Sequence, residues 1–258
     1  MTLADRYQCH TGEIYTEALK IGVWPYRYIR NRDGYSRDDQ LKLAGARAAI
    51  VGCGGLGGTV TLLLARSGVG FLTLVDYDVF DETNLNRQAL SGMQNMGTSK
   101  SETGRKMTLD INPGVRVRSE QVKIDEESAP DVLSDADVIV DALDNIPDRL
   151  VLQRVARNLN IPLVHGALAG FNGQVMTILP GDPGLELIYP SDAGKKDPES
   201  PEAIMGVPAI TPSVVASLQA MEVVKILLDR GQLLRNKLIY IDLESSRFNI
   251  MSFPETTG

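Results

Sequence analysis

IVGCGGLGG, running from Ile50 to Gly58, and LVDYD, from Leu74 to Asp78, together decide the fold. Ala48 to Gly52 is an unbroken run of small and branched apolar residues, which reads as a strand buried on both faces. Gly57 to Ser67 suits a helix that ends at Gly68. Phe71 to Val75 is a second strand, closed by acid. A glycine turn between strand and helix lets backbone approach a phosphate, and the helix N-terminus adds amides and positive dipole. Gly52, Gly54, Gly55 and Gly57 supply such a turn. Asp76 and Asp78 follow where an acid can accept hydrogen bonds from a ribose. Cys53, inside the turn, reads as a small buried thiol whose neighbouring amides are free for phosphate.

The same alternation continues outward from this unit. Thr98 to Ile111 suits a helix, ended by Asn112-Pro113, and Val115 to Val122 a strand of alternating character. DVIVDA, Asp137 to Ala142, is a third buried strand, followed by a helix from about Pro147 to Asn160. Leu163 to His165 reads as a short strand. Gln174 to Leu179 follows too closely to cross over and is expected to be antiparallel. Thr211 to Leu228 is a helix, Lys237 to Asp242 a strand, and Phe248 to Phe253 its hairpin partner. The expectation is an α/β fold with a Rossmann-like, mostly parallel sheet, helices on both faces, and an antiparallel C-terminal extension. Residues 1–46 form a helical N-terminal arm, with Ile14, Ala18 and Leu19 at helical spacing and Ser36 as an N-cap. Residues 47–253 form one domain and 254–258 a tail. Within the arm, PYRYIRNR (Pro25 to Arg32) reads first as a solvated connector. Pro180 to Pro208 is rich in Pro, Gly, Asp and Ser, too long for an ordinary connection and typical of a functional crossing.

Composition narrows the function. The 33 acidic and 26 basic residues leave a net charge of -7, which disfavours a broad basic surface for nucleic acid. No apolar run is expected to be long enough to span a bilayer, and no secretory signal is expected, so the predicted location is cytoplasmic. Two cysteines, Cys9 and Cys53, and two histidines, His10 and His165, are too few for a disulfide framework or a four-cysteine zinc site.

The glycine turn announces a nucleotide without naming it. NAD and ATP separate in the polar run after Asp78, where Asn84, Arg87, Gln88 and Lys100 arrive together. Arginine bridges phosphate oxygens in bidentate fashion, and lysine follows charge onto a leaving pyrophosphate. An NAD-dependent oxidoreductase needs a pyrophosphate cradle and little further charge. It stays open as an alternative, as does a nucleotide-binding scaffold without chemistry.

GCGGLGG, LVDYDVFDETNLNRQ, Lys100 in GTSKSE, DALDN (Asp141 to Asn145) with Arg149, and SLQAMEVVKIL (Ser217 to Leu227) resemble the ThiF/MoeB/HesA adenylyltransferases, relatives of the ubiquitin-activating enzymes. The resemblance covers about Pro25 to Asp242. It implies binding of ATP and Mg²⁺ and adenylation of the C-terminal glycine of a small ubiquitin-like sulfur-carrier protein ending in Gly-Gly. By the same resemblance Asp76 holds the ribose, and Asn84, Arg87, Gln88 and Lys100 line the triphosphate. Asp144 holds magnesium, with Asn145 beside it in the binding set. From the residues alone a helix N-cap is the lesser alternative for Asp144, while Arg149 could as easily be a helix-surface charge as a site residue. Relatives carry an R-Y-x-R segment that reaches the partner's ATP in a homodimer; Arg27 to Arg30 matches it, so Arg30 is the expected trans arginine, with Arg37 as the second choice. This chain lacks the CxxC pairs of zinc-binding relatives, so no zinc is expected. Where some relatives place a crossover cysteine it has Glu202, which would stop the chemistry at the acyl-adenylate. No nucleic acid or membrane partner is expected.

Overall fold

Three helices precede the first strand in the computed structural model, which describes residues 3–189 and 204–254. They are α1 (Leu3–Tyr7), α2 (Thr11–Lys20) and α3 (Arg37–Gly45). Ser36 caps α3 as its position implies. Its hydroxyl accepts from the Asp39 amide at 3.0 Å, and the Asp39 carboxylate accepts from the Ser36 amide at 2.9 Å. Leu19 and Leu43 are fully buried, which docks the arm on the domain. The segment from Pro25 to Arg32 is largely exposed, as its polarity suggests, but it is anchored at Pro25 and Tyr28. Tyr28 is buried, its hydroxyl accepts from Asn112 Nδ2 at 2.8 Å, and its ring meets Tyr15 edge-on. Arg27 adds to this anchor by donating to the Tyr15 hydroxyl at 2.9 Å and to the Ile111 carbonyl.

The sheet begins with β1 (Arg47–Val51), followed by α4 (Gly55–Ser67), β2 (Phe71–Val75), α5 (Lys100–Ile111) and β3 (Arg116–Glu120). Next come α6 (Ala129–Leu133), β4 (Val138–Asp141), α7 (Ile146–Asn158), β5 (Leu163–Ala169) and β6 (Asn172–Ile178). The chain closes with α8 (Ile210–Leu228), β7 (Lys237–Asp242) and β8 (Arg247–Ser252). The strand order is β3-β2-β1-β4-β5-β6-β7-β8, parallel through β5 and antiparallel from β6 onward. Sequence order reverses between β1 and β4, and a crevice opens there at the carboxyl ends of the strands.

Alternation along the central strands divides the core. Ala48, Ile50, Leu72, Leu74, Val138 and Val140 face α4 and α8. Ala49, Val51, Val75 and Ile139 face α6 and α7. Burial on both faces is why these strands read as continuous apolar runs.

Two expectations change. The strand from Leu163 does not stop at His165 but runs to Ala169 and turns directly into β6. Gly166 looks like a strand end in sequence; in the fold it lets α8 approach, since a β-carbon there would lie 2.3 Å from Gln219. The second concerns membranes. Helix α8, with 19 residues, is long and apolar enough to cross one by length and composition, contrary to the sequence expectation. Its apolar residues Val215, Ala216, Val223, Val224 and Leu228 are instead buried against the sheet and α4, so its hydropathy is that of a core helix.

Candidate active site

The glycine turn is shaped by what packs against it. Gly52 has φ of +92°, and a β-carbon there would lie 2.5 Å from the Ala142 carbonyl oxygen. Only glycine lets the end of β1 lie so close to the end of β4. A β-carbon on Gly57 would fall 1.7 Å from the Gly52 carbonyl oxygen, so this residue sets how closely α4 approaches the turn. Gly54 and Gly55 line the crevice.

Asp76 ties this turn to the end of β2. One carboxylate oxygen accepts from the Cys53 amide at 2.7 Å, the other from the Asp78 amide at 2.8 Å. The Cys53 amide is therefore engaged by Asp76, which leaves the neighbouring amides of the turn for phosphate. Burial raises the carboxyl pKa of Asp76, while these two amides and Lys100 pull it back. Cys53 itself is fully buried and its thiol is pushed well above the ordinary value by desolvation and by Asp76. Such a thiol is a core group, not a nucleophile.

Around the turn lies a cavity of about 370 Å³. Gly52, Gly54, Gly55, Asp76, Asp78, Arg87, Gln88, Lys100 and Asp144 all line it. Lys100 opens α5, and its buried side chain reaches Asp78 Oδ2 at 3.0 Å. Arg87 donates to the Thr83 carbonyl at 2.9 Å and to Asn86 Oδ1 at 2.8 Å. The side chain of Gln88 is buried beside Gly54, and its Oε1 has no hydrogen-bond partner among the described residues. An orphaned buried polar atom on a cavity wall marks a place where a ligand can complete the hydrogen bonding.

Four of the expected residues do not line the cavity. Gly57 is occupied by helix packing. Asn84 accepts from the Asp81 amide at 3.0 Å and so builds the short 3₁₀ turn Glu82–Asn84 that carries Arg87 and Gln88. Asn145, not Asp144, is the N-cap of α7, accepting from the Asp148 amide at 3.0 Å and donating to Asp144 Oδ1 at 3.1 Å. Arg30 is exposed on the arm, and the alternative Arg37 begins α3 beside Asp38. Arg149 is not a helix-surface charge. It is buried against Asp141, Nη1 to Oδ2 at 3.3 Å, with its side chain at the cavity floor. Glu202 lies outside the described residues, as does much of the expected crossing.

Tyr77, Lys123 and Asp148 also line the cavity and were not singled out by sequence. Lys123 Nζ lies 3.0 Å from Asp148 Oδ1, closing the wall between β3 and α7. Their one legible signal was position: Tyr77 and Lys123 follow the carboxyl ends of β2 and β3, and Asp148 sits in the first turn of the helix after β4, where ligands of such sheets bind. Val51, Val75, Val122, Ile124, Leu143 and Leu152 make an apolar wall that suits a planar base. Arg87, Gln88 and Lys100 supply the polar lining that suits phosphates.

Asp144 is exposed at the cavity edge, with one oxygen on Asn145 and the other open to a divalent cation. Among the described residues no cluster of three or more His, Cys, Asp or Glu side chains could hold a metal alone. One carboxylate completed by phosphate oxygens and water is an ordinary Mg²⁺ environment, so the donor set fits that ion.

The family model described as the ThiF family matches residues 28–257. A SAMP-activating enzyme E1 from Haloferax volcanii is 35% identical over 236 residues, spanning 88% of this chain and 84% of that protein. A sulfur carrier protein adenylyltransferase from Thermus thermophilus is 35% identical over 221 residues, spanning 81% and 79%. This chain spans about half the length of other curated relatives, which are adenylyltransferase/sulfurtransferases. Among solved structures, E. coli MccB with ATP superposes with a TM-score of 0.74 at 25% identity, covering 90% of this chain and 72% of that one.

Proposed function

The chain belongs to the ThiF family, and from that membership we propose that it is an adenylyltransferase that uses ATP to activate the C-terminal glycine carboxylate of a small ubiquitin-like sulfur-carrier protein. Relatives that carry adenylyltransferase and carrier-activating names support the reaction class. The observation that carries the reading is local. Arg87, Gln88 and Lys100 share one cavity with the glycine turn, Asp76 and Asp144. A dinucleotide site does not need that concentration of phosphate-directed groups.

In this reading Asp76 meets the ribose and the amides at the start of α4 meet phosphate. The carrier carboxylate attacks the α-phosphorus, the bond to the bridging oxygen breaks, and pyrophosphate leaves. Because a carboxylate is already a nucleophile, the chain supplies orientation and charge stabilisation, not a base. Arg87 leaves its local contacts for the triphosphate, and Lys100 follows charge toward the leaving pyrophosphate. Asp144 would hold Mg²⁺, which supplies charge neutralisation at the phosphates when bound. Arg30 completes the site of a second protomer, and the homodimer is the active unit.

Pyrophosphate exchange into ATP, run with small carrier proteins ending in Gly-Gly, tests the proposal. Carrier-dependent exchange is the expected result. Measurable ATP binding with no exchange for any such carrier rejects it.

A further inference from the structure

Under the cavity floor runs a chain of buried and half-buried polar side chains that the proposed reaction does not use. Asp141 and His165 are both fully buried, with Asp141 Oδ2 and His165 Nδ1 2.7 Å apart. Burial lowers the His165 pKa, so the ring is neutral and Nδ1–H donates to the carboxylate. His165 Nε2 is then the acceptor for Gln174 Nε2 at 3.3 Å. Gln174 donates in turn to the Tyr189 hydroxyl at 2.8 Å, and the Tyr189 ring meets the imidazole edge-on. At the other end, Asp141 Oδ1 accepts from the Leu143 amide at 3.1 Å. Leu143 immediately precedes Asp144.

These groups come from the end of β4, from within β5 and β6, and from Tyr189, and they lead through Asp141 to one backbone amide. The arrangement is not the most stable way to fill that space. A buried ion pair such as Asp141–Arg149 is often matched or bettered by apolar residues of similar volume. Asp141 is fixed from both sides, because its carbonyl oxygen also accepts from Gln219 Nε2 at 2.8 Å. With the carboxylate held, the turn after β4 has one position for the residue that follows. We propose that Tyr189, Gln174 and His165 are positioning residues that act through Asp141 to fix the turn presenting Asp144. This rests on the reading of Asp144 as the cation-binding carboxylate.

Two variants and two measurements test it. Tyr189→Phe removes one hydroxyl from a partly buried ring, and His165→Asn shortens the relay. Amide hydrogen exchange at Leu143 in the nucleotide-free protein reports the turn directly. We expect exchange there to rise about threefold in Tyr189→Phe and about tenfold in His165→Asn, the scale of one weakened hydrogen bond. The Mg²⁺ concentration giving half-maximal pyrophosphate exchange should rise several-fold, while metal-free ATP binding stays unchanged. A folded Tyr189→Phe with wild-type exchange at Leu143 and a wild-type Mg²⁺ requirement overturns the proposal. If His165→Asn does not fold, Tyr189→Phe decides alone. The exchange measurement involves no carrier, so failure of the adenylation reading and failure of this one are separable.

Discussion

Lys100 Nζ lies 3.0 Å from Asp78 Oδ2, while the Lys100 amide donates to the Asp78 carbonyl at 3.1 Å. Backbone and side chain thus make the same connection between the segment after β2 and the start of α5. The ammonium is held at the cavity wall by a carboxylate that is itself partly open to solvent, so an arriving triphosphate can take it over.

Replacement of Lys100 by Met should therefore lower pyrophosphate exchange on the order of 10²- to 10³-fold, the scale of losing one preorganised group at developing charge. Stability should change by less than about 1 kcal/mol, because the pair is screened on the Asp78 side. Exchange kinetics and a urea melt measure the two effects separately. A large loss of stability would make Lys100 a structural group.

Asp144→Asn should leave the fold intact, since Asn145 is the cap of α7. The change should weaken Mg²⁺ dependence and lower exchange by about 10²-fold or more, corresponding to several kcal/mol of lost charge stabilisation. Titrating Mg²⁺ at fixed ATP checks this. Unaltered exchange would remove Asp144 from the metal site, and unaltered activity in cells would favour a scaffold over an enzyme.

Two glycines of the turn should separate stability from binding. Gly57→Ala puts a methyl group 1.7 Å from a backbone oxygen that cannot move independently of β1. It should destabilise by about 3 kcal/mol or more. Gly54→Ala meets only Gln88, at an ordinary 3.6 Å. It should fold normally yet bind ATP roughly tenfold more weakly, the scale on which one carbon alters fit in a pocket. Thermal melts and ATP titrations of both proteins test the contrast.

His165 should make the fold sensitive to mild acid. Its folded pKa is lowered by burial from the 6.5 of the free side chain. Its contribution is therefore fully present above pH 6.5 and is lost as pH falls toward the folded value, because the unfolded chain takes up a proton that the folded one resists. The slope reaches at most about 1.4 kcal/mol per pH unit from this group. His10 shifts in the same direction but is less enclosed. Urea unfolding at pH 7.5, 6.5 and 5.5 should give falling stability for the wild type and a flatter profile for His165→Asn.

Much of the fold was legible without coordinates. Ile50 and Val140 belong to short apolar runs, one ended by Gly52 and the other flanked by Asp137 and Asp141, that name buried parallel strands. The spacing of Val215 to Leu228 names a helix, although its burial cannot be read from hydropathy alone. The N-cap at Ser36 is local in sequence, so it was legible as well; its capping box with Asp39 is what the structure adds. Gly166 misled for the opposite reason. Its partner, Gln219, is 53 residues away, and nothing near it in sequence signals that contact.

The candidate site divides in the same way. Sequence by itself determined the strand–turn–helix unit, the acid after β2, and the block from Asn84 to Lys100 that favours ATP over NAD. These are short-range patterns, each carried by backbone geometry within a few residues. Tertiary structure alone decided which members of that block face the cavity. It turned Gln88 inward, left Asn84 to build the turn beneath it, and assigned the cap of α7 to Asn145 so that Asp144 stayed open. It also buried Arg149 on Asp141 and set His165, Gln174 and Tyr189 in line behind them. Side-chain roles of this kind depend on partners brought together from distant strands, where burial makes every unpaired polar group costly, and local sequence carries no record of that pairing.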